Sequence, residues 1–199
     1  MIRLDEIDLV LASTSRYRRE LLTRIAPRFR VMAPQVDETA QANETPAALV
    51  ARLAEAKARA VAVLCPGALV IGSDQVADLD GAIVGKPDNV ENAQSQLAAS
   101  SGREVVFHTA VCLLDARVSP PRVHAAVDTT RVRFRTLGAG EIARYVAREA
   151  PLDCAGSFKS EGLGIALFER IDSQDPTALI GLPLIVLCRL LREAGIAVV

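Results

Sequence analysis

Residues 8–12 are almost wholly apolar and read as a buried strand that breaks at Ser13-Thr14-Ser15. Beyond the break, Leu21, Leu22 and Ile25 recur at helical spacing and predict a helix over 16–25. Residues 29–33 suggest a second strand, followed by a polar loop that holds Asp37 and Glu38. Pro46 starts a long amphipathic helix whose apolar stripe is Leu49, Val50, Leu53, Ala56, Ala60, Val61 and Leu64. An apolar strand over 68–71 is expected to end at Gly72-Ser73-Asp74, and Asp80-Gly81 between two short apolar runs signals a hairpin. Asp88, with Glu91 three residues on, resembles a capping box and starts a helix that ends near Ser100.

Residues 104–115 and 123–134 are long and β-branched enough to be paired strands, separated by the Ser119-Pro120-Pro121 break. A short helix over 141–150, a strand over 165–171 and a closing helix over 184–193, stopped by Gly195, complete the pattern. Helices and strands alternate early, and strands pair antiparallel later. That predicts an α/β protein with a mixed sheet. No repeat, low-complexity stretch or dividing linker interrupts residues 1–199, so a single domain is expected, with one core or one core cleft into two lobes.

Composition narrows the class. Half of the residues are hydrophobic and 24% are charged, ordinary for a soluble globular protein. A formal charge of -1 argues against a protein that lives on nucleic acid, whose phosphates demand a basic surface. Arg16, Arg18 and Arg19 form only a local patch. Cys65, Cys112, Cys154 and Cys188 lie far apart among apolar neighbours, so reduced, buried thiols are expected rather than disulfides or a zinc site. The first eight residues are too charged and too short for a signal peptide. The longest apolar run, 182–188, falls far short of the ~20 residues of a membrane span. A cytoplasmic protein with no membrane partner is the expectation.

Three features carry candidate chemistry. The turn from Ala12 to Arg16 opens a helix, and a helix N-terminus with nearby hydroxyls and guanidinium groups can cradle a phosphate. Taken alone, its plainer reading is a capped helix with a solvated basic face, and it is not a P-loop. Asp74 stands where a hydrophobic strand is expected to run out, a place for a metal carboxylate or general base, or for a turn cap. Lys86, between Gly85 and Pro87, offers a point charge to a phosphate, although most exposed lysines do nothing of the kind. His108 in an apolar strand and His124 without a ligand partner in sequence are read as structural.

Taken in order, Leu11 to Leu22, Val36-Asp37-Glu38, Ala54 to Ala58 around Lys57, Ile71 to Gln75, Gly85-Lys86-Pro87, Ala155-Gly156 and Gly181-Leu182-Pro183-Leu184 resemble the motifs of the Maf family. The resemblance covers nearly the whole chain. It implies a fold similar to the inosine-triphosphate pyrophosphatases, with an elongated mixed sheet and two lobes around a substrate cleft. It also implies hydrolysis of a nucleoside triphosphate between its α and β phosphates, with a divalent cation, magnesium or manganese. Position by position, Asp74 falls on the general base that activates water, and Glu38 on its partner carboxylate at the metal. Ser13, Arg18, Lys57 and Lys86 fall on phosphate-binding positions, the two lysines within the catalytic set. A homodimer is implied by the family alone.

A finer resemblance lies at Tyr17, Gln75 and Glu161, where the family's branches differ. The pyrimidine-triphosphate branch shows arginine, threonine and glutamine there; the 7-methyl-GTP branch shows an aromatic residue, glutamine and glutamate. Residues 154–162 and Asp175-Pro176 also resemble the second branch. Two departures stand out: Arg16 where a proline is usual, and Tyr17 where tryptophan is common. The chemistry agrees with the branch. A ring methylated at N7 is cationic and is attracted to an aromatic face, while a carboxylate can accept the N1–H and amino hydrogens of guanine together. Two alternatives accompany this expectation: a dTTP/UTP pyrophosphatase of the same family, and a nucleotide-binding regulator of septum formation without turnover. Glu38, Lys57, Asp74 and Lys86, all present, favour turnover.

Overall fold

A computed structural model describes residues 2–199, which form nine strands and five α-helices. In chain order these are β1 (Ile2–Arg3), β2 (Leu9–Ala12), α1 (Arg16–Leu22), β3 (Arg30–Met32), α2 (Pro46–Ala62), β4 (Leu69–Leu79) and β5 (Ala82–Val84). There follow α3 (Val90–Ser100), β6 (Glu104–Asp115), β7 (Arg122–Phe134), α4 (Ala139–Glu149), β8 (Phe168–Asp172), α5 (Leu184–Glu193) and β9 (Ile196–Ala197). The main sheet has the order β3-β2-β4-β6-β7-β8, with β5 paired to β4. β2 runs parallel to β3 and β4, whereas β4–β5 and β7–β8 are antiparallel, so the sheet is mixed as the pattern predicts. β1 and β9 form a separate parallel pair too short to leave a periodic signal.

The residues gather into two compact units. One holds the chain up to Asp74, Thr109–Asp128 and Asp175–Val199; the other holds Gln75–His108 and Thr129–Gln174. In the first, Leu9, Leu11, Leu69 and Ile71 of the parallel strands pack with Leu21 and Leu22 of α1 and Leu187, Leu190 and Leu191 of α5. Every residue of β2 is buried, which is why it reads as a continuous apolar run rather than an alternation. The second unit is centred on Phe107, Phe134, Phe158 and Phe168, whose rings meet edge to face at 4.8–5.7 Å between centroids. That geometry sets the positive ring edge on the negative ring face.

Several elements depart from the pattern. α1 stops at Leu22, with a tighter turn through Ile25, because Pro27 disfavours helical backbone in the residue before it. β4 does not end at Gly72-Ser73-Asp74 but continues to Leu79, so Asp74 lies within a strand and not at its rim. The buried face of α2 is Leu49, Val50, Leu53, Ala54, Lys57, Ala58 and Val61, a strict helical stripe that includes a lysine. Ala56 and Ala60 flank that face, and Leu64 lies beyond the helix end, exposed. Asn89, not Asp88, caps α3: its Oδ1 accepts the Asn92 N–H at 2.8 Å, while Asp88 takes φ 62°. α4 begins at Ala139, and the strand expected over 165–171 is a 3-10 turn through Leu167 before β8 begins. Asp80 and Gly81 do form the hairpin turn, both with positive φ as a type I′ turn requires. All four cysteines are free, but only Cys65 and Cys112 are buried; Cys154 and Cys188 are half-buried. Burial pushes the Cys112 thiol up to about 12. Among the described residues, no helix is long and apolar enough to cross a membrane.

Candidate functional site

The first unit brings Glu38, Lys57 and Asp74 together. Lys57 lies on the apolar face of α2 with its side chain 7% exposed, so its ammonium needs counter-charges. It finds Oδ1 of Asp74 at 2.6 Å and Oε1 of Glu38 at 2.9 Å. The Asp74 side chain is 9% exposed and that of Glu38 is 60% exposed, so one carboxylate is sheltered and the other faces solvent. The mid-strand position fits the shelter: Asp74 lies within β4 and meets Lys57 of α2.

Gly72 sets this spacing. A Cβ there would stand 2.1 Å from the Ala54 carbonyl oxygen and 2.8 Å from the Ala58 nitrogen, so only glycine lets the α2 backbone lie so close to β4. Gly72→Ala is therefore expected to destabilise the protein by about 1–3 kcal/mol or more, the range of overpacking against atoms that cannot yield. Urea denaturation checks this. An unchanged midpoint would mean that α2 can shift away freely.

The Glu38 loop is fixed from α2. Arg52 donates to both carboxylate oxygens of Glu44, at 2.6 and 2.8 Å, and to the Thr39 carbonyl at 3.0 Å. Asp37 Oδ1 accepts the Thr39 N–H at 2.9 Å. The forked Arg52 bond holds the Glu44 carboxyl down to about 2. The main chain just after Glu38 is thus tied at Thr39, through its N–H and its carbonyl, while the Glu38 side chain stays accessible. Nothing local in the sequence marks Arg52 or Glu44; an arginine about two helical turns into α2, after an acidic loop, is the available hint.

Ser13 and Arg18 lie at the entry of α1. Ser13 Oγ accepts the Ser15 N–H at 3.0 Å, and Ser15 Oγ caps the helix by accepting the Arg18 N–H at 3.4 Å. Arg18 Nε donates to the Gly181 carbonyl at 2.9 Å, and Ser73 Oγ donates to the same oxygen at 3.1 Å. Desolvation lowers the Arg18 pKa, and the charges of Asp74 and Glu38 oppose it. Tyr17 is half-buried, with the Arg16 guanidinium 4.7 Å from its ring centroid and Arg16 Nη2 donating to its hydroxyl at 2.7 Å. Arg16, where the family usually has a proline, thus places a cation over the aromatic face.

The second unit carries Gln75, Lys86 and Glu161. Gln75 is half-buried in β4. Lys86 is exposed on a loop held by α3, where Gln96 Nε2 donates to the Gly85 carbonyl at 3.3 Å and Asn92 Nδ2 to the Pro87 carbonyl at 2.9 Å. Glu161 is exposed, with Ser160 Oγ 3.4 Å from its Oε2. His108 is half-buried and its pKa is lowered by desolvation, with Asp78 3.9 Å away, the structural role expected of it. His124 pairs with Glu193, at 3.9 Å. Among the described residues there is no group of three or more His, Cys, Asp or Glu side chains able to hold a metal by themselves. Glu38 and Asp74 converge on the Lys57 ammonium.

Residues 8–194 match the model of the Maf-like protein family. The chain is 60% identical over 187 residues to a 7-methyl-GTP pyrophosphatase of Xanthomonas oryzae pv. oryzae, an alignment covering 94% of this chain and 96% of that protein. It is 58% identical over 190 residues to a 7-methyl-GTP pyrophosphatase of Burkholderia thailandensis, covering 94% of this chain and 87% of that one. Its fold is similar to the structure of the Staphylococcus aureus Ham1 protein, with a TM-score of 0.51 at 17% identity over 94% of this chain and 99% of the other. The ordered motifs from Leu11 to Leu184 fall inside the matched span, and the α/β fold agrees with them. The chain belongs to the Maf family.

Proposed function

We propose that this chain is a hydrolase that cuts 7-methyl-GTP between its α and β phosphates, giving 7-methyl-GMP and diphosphate, and so clears a modified nucleotide from the pool. The observation that carries the catalytic part is the Glu38–Lys57–Asp74 cluster: a sheltered carboxylate, oriented by a buried ammonium, beside a second carboxylate open to solvent. Lys57 occupies Oδ1 of Asp74, which leaves Oδ2 to take the proton of the attacking water. Ser13, Arg18 and Lys86 bind the phosphate oxygens, and Lys57 adds a fixed positive charge next to them. Tyr17, Gln75 and Glu161 face the base. Relatives of 58–60% identity that are named 7-methyl-GTP pyrophosphatases support the substrate.

A divalent cation, magnesium or manganese, would be held by Asp74 and Glu38 and would neutralise charge on the phosphate oxygens. The residues fit such an ion. Two carboxylates already converge on one cationic group, and magnesium commonly takes one or two carboxylates while water and substrate phosphates complete its shell. Diphosphate release from 7-methyl-GTP across a magnesium titration tests the reading. Glu38→Gln is expected to move the titration to higher magnesium while metal-free nucleotide binds almost as before, because one anionic oxygen ligand is lost. A titration unchanged from wild type would remove Glu38 from the metal site.

One observation favours the second reading, a dTTP/UTP pyrophosphatase. Arg16 sets a cation against Tyr17, where a methylated base would stack, and two cations compete for one ring face.

A further inference from the structure

Glu161 makes little contact of its own, yet the turn that carries it is held firmly from behind. Glu149, the last residue of α4, accepts the Leu163 N–H with Oε2 at 2.8 Å. Its main-chain oxygen accepts Lys159 Nζ at 2.7 Å, and its Oε1 lies 3.6 Å from the same ammonium. One turn earlier in α4, the hydroxyl of buried Tyr145 accepts the Lys159 N–H at 3.1 Å. Residues 159 and 163, two before and two after Glu161, are thus both fastened to α4. The Gly162 N–H closes the turn on the Lys159 carbonyl at 3.2 Å.

Two glycines make the fit possible. A Cβ on Gly162 would stand 2.9 Å from a Glu149 carboxylate oxygen, and one on Gly164 would stand 2.4 Å from the Lys159 carbonyl oxygen. Of residues 159–163 only Glu161 is exposed and the others are half-buried, so the fastening holds a turn from which one carboxylate stands out. What the fastening changes is order. A carboxylate on a loose turn loses conformational freedom when it engages a ligand, and a turn fixed beforehand does not.

We infer that Glu149, assisted by Tyr145, is a positioning residue for base recognition, holding the 159–163 turn so that the Glu161 carboxylate is presented to a guanine edge. This rests on the reading of Glu161 as a base-facing residue. Tyr145 and Glu149 hold the turn by its main chain, through the Lys159 and Leu163 N–H groups.

The test compares kcat/KM for 7-methyl-GTP and UTP in wild type, Glu149→Ala, Glu149→Gln, Glu161→Gln and the Glu149→Ala/Glu161→Gln double variant, with thermal melting alongside. Glu149→Ala is expected to lower 7-methyl-GTP hydrolysis roughly tenfold, as a charged hydrogen bond loses its aim, while UTP hydrolysis changes by less than about twofold. Glu149→Gln keeps an acceptor oxygen for the Leu163 N–H and should recover most of the loss. In the Glu161→Gln background, Glu149→Ala should add nothing further, since both act on one interaction. Should Glu149→Ala fail to fold, Tyr145→Phe provides the same ratio test, with a smaller loss of 7-methyl-GTP preference. Equal losses on both substrates, an unchanged ratio, or losses that multiply in the double variant would overturn the inference alone. A Glu161→Gln variant with wild-type preference would instead overturn the base-facing reading and the clamp with it.

Discussion

Asp74→Asn is expected to lower turnover of 7-methyl-GTP by roughly 10²–10⁴-fold, the usual contribution of a general base, while nucleotide binding stays close to wild type. The substitution keeps the shape of a side chain that is 9% exposed within β4, so packing is preserved. It removes the proton acceptor, and it leaves Lys57 with Glu38 as its one remaining carboxylate of the pair. Loss of a negative charge relieves repulsion of a polyanionic substrate but also weakens the hold on a divalent cation, so binding is compared with metal-free nucleotide and turnover at saturating magnesium. A melting curve guards against loss of fold, because breaking a buried pair is destabilising. Near-wild-type turnover at saturating magnesium would reduce Asp74 to the counter-ion of Lys57.

The second large effect concerns the base. Tyr17→Arg, Gln75→Thr and Glu161→Gln together are expected to move preference from 7-methyl-GTP towards UTP or dTTP. Glu161→Gln alone should cost the methylated purine roughly ten- to hundred-fold in kcat/KM, since hydrogen bonds to charged groups contribute about 1.5–3 kcal/mol. A carboxylate accepts the N1–H and amino hydrogens of guanine together, and a cationic ring strengthens both bonds. Uracil and thymine present one ring N–H between two carbonyls, which a carboxylate repels, so their hydrolysis should fall less or rise. The Arg16 guanidinium 4.7 Å from the Tyr17 centroid bears on the size of the effect. If it must leave the ring before the base stacks, the contribution of Tyr17 is smaller than that of an uncovered aromatic. Steady-state kinetics on the three single variants and the triple variant separates these contributions, and a triple variant with unchanged preference would take all three residues out of base selection.

What the sequence discloses depends on how local the cause is. β2, the Asp80-Gly81 hairpin, the β6–β7 pair and α5 follow from apolar runs, turn chemistry and helical periodicity, all readable within a dozen residues. β4 is misread because Gly72, Ser73 and Asp74 look like a break, when the strand runs on through them to Leu79. Lys57 falls off the apolar stripe for the same reason: a charged letter is not expected on a buried face until its counter-ion is known. That counter-ion lies 17 residues away, on another element. Glu38, Lys57 and Asp74 are nameable from ordered family motifs, but only the fold shows that they meet. Arg52 with Glu44, and Glu149 with the 159–163 turn, carry no motif and appear only as geometry.

The central claim is tested most directly by measuring diphosphate release from 7-methyl-GTP, GTP, UTP and dTTP by the wild-type protein with magnesium. 7-Methyl-GTP is predicted to have the highest kcat/KM. GTP keeps the same hydrogen-bonding edge but lacks the ring charge, so it should fall below by roughly two- to thirty-fold, the equivalent of about 0.5–2 kcal/mol of cation–π attraction. Preference for UTP or dTTP, or release of orthophosphate in place of diphosphate, would contradict the account.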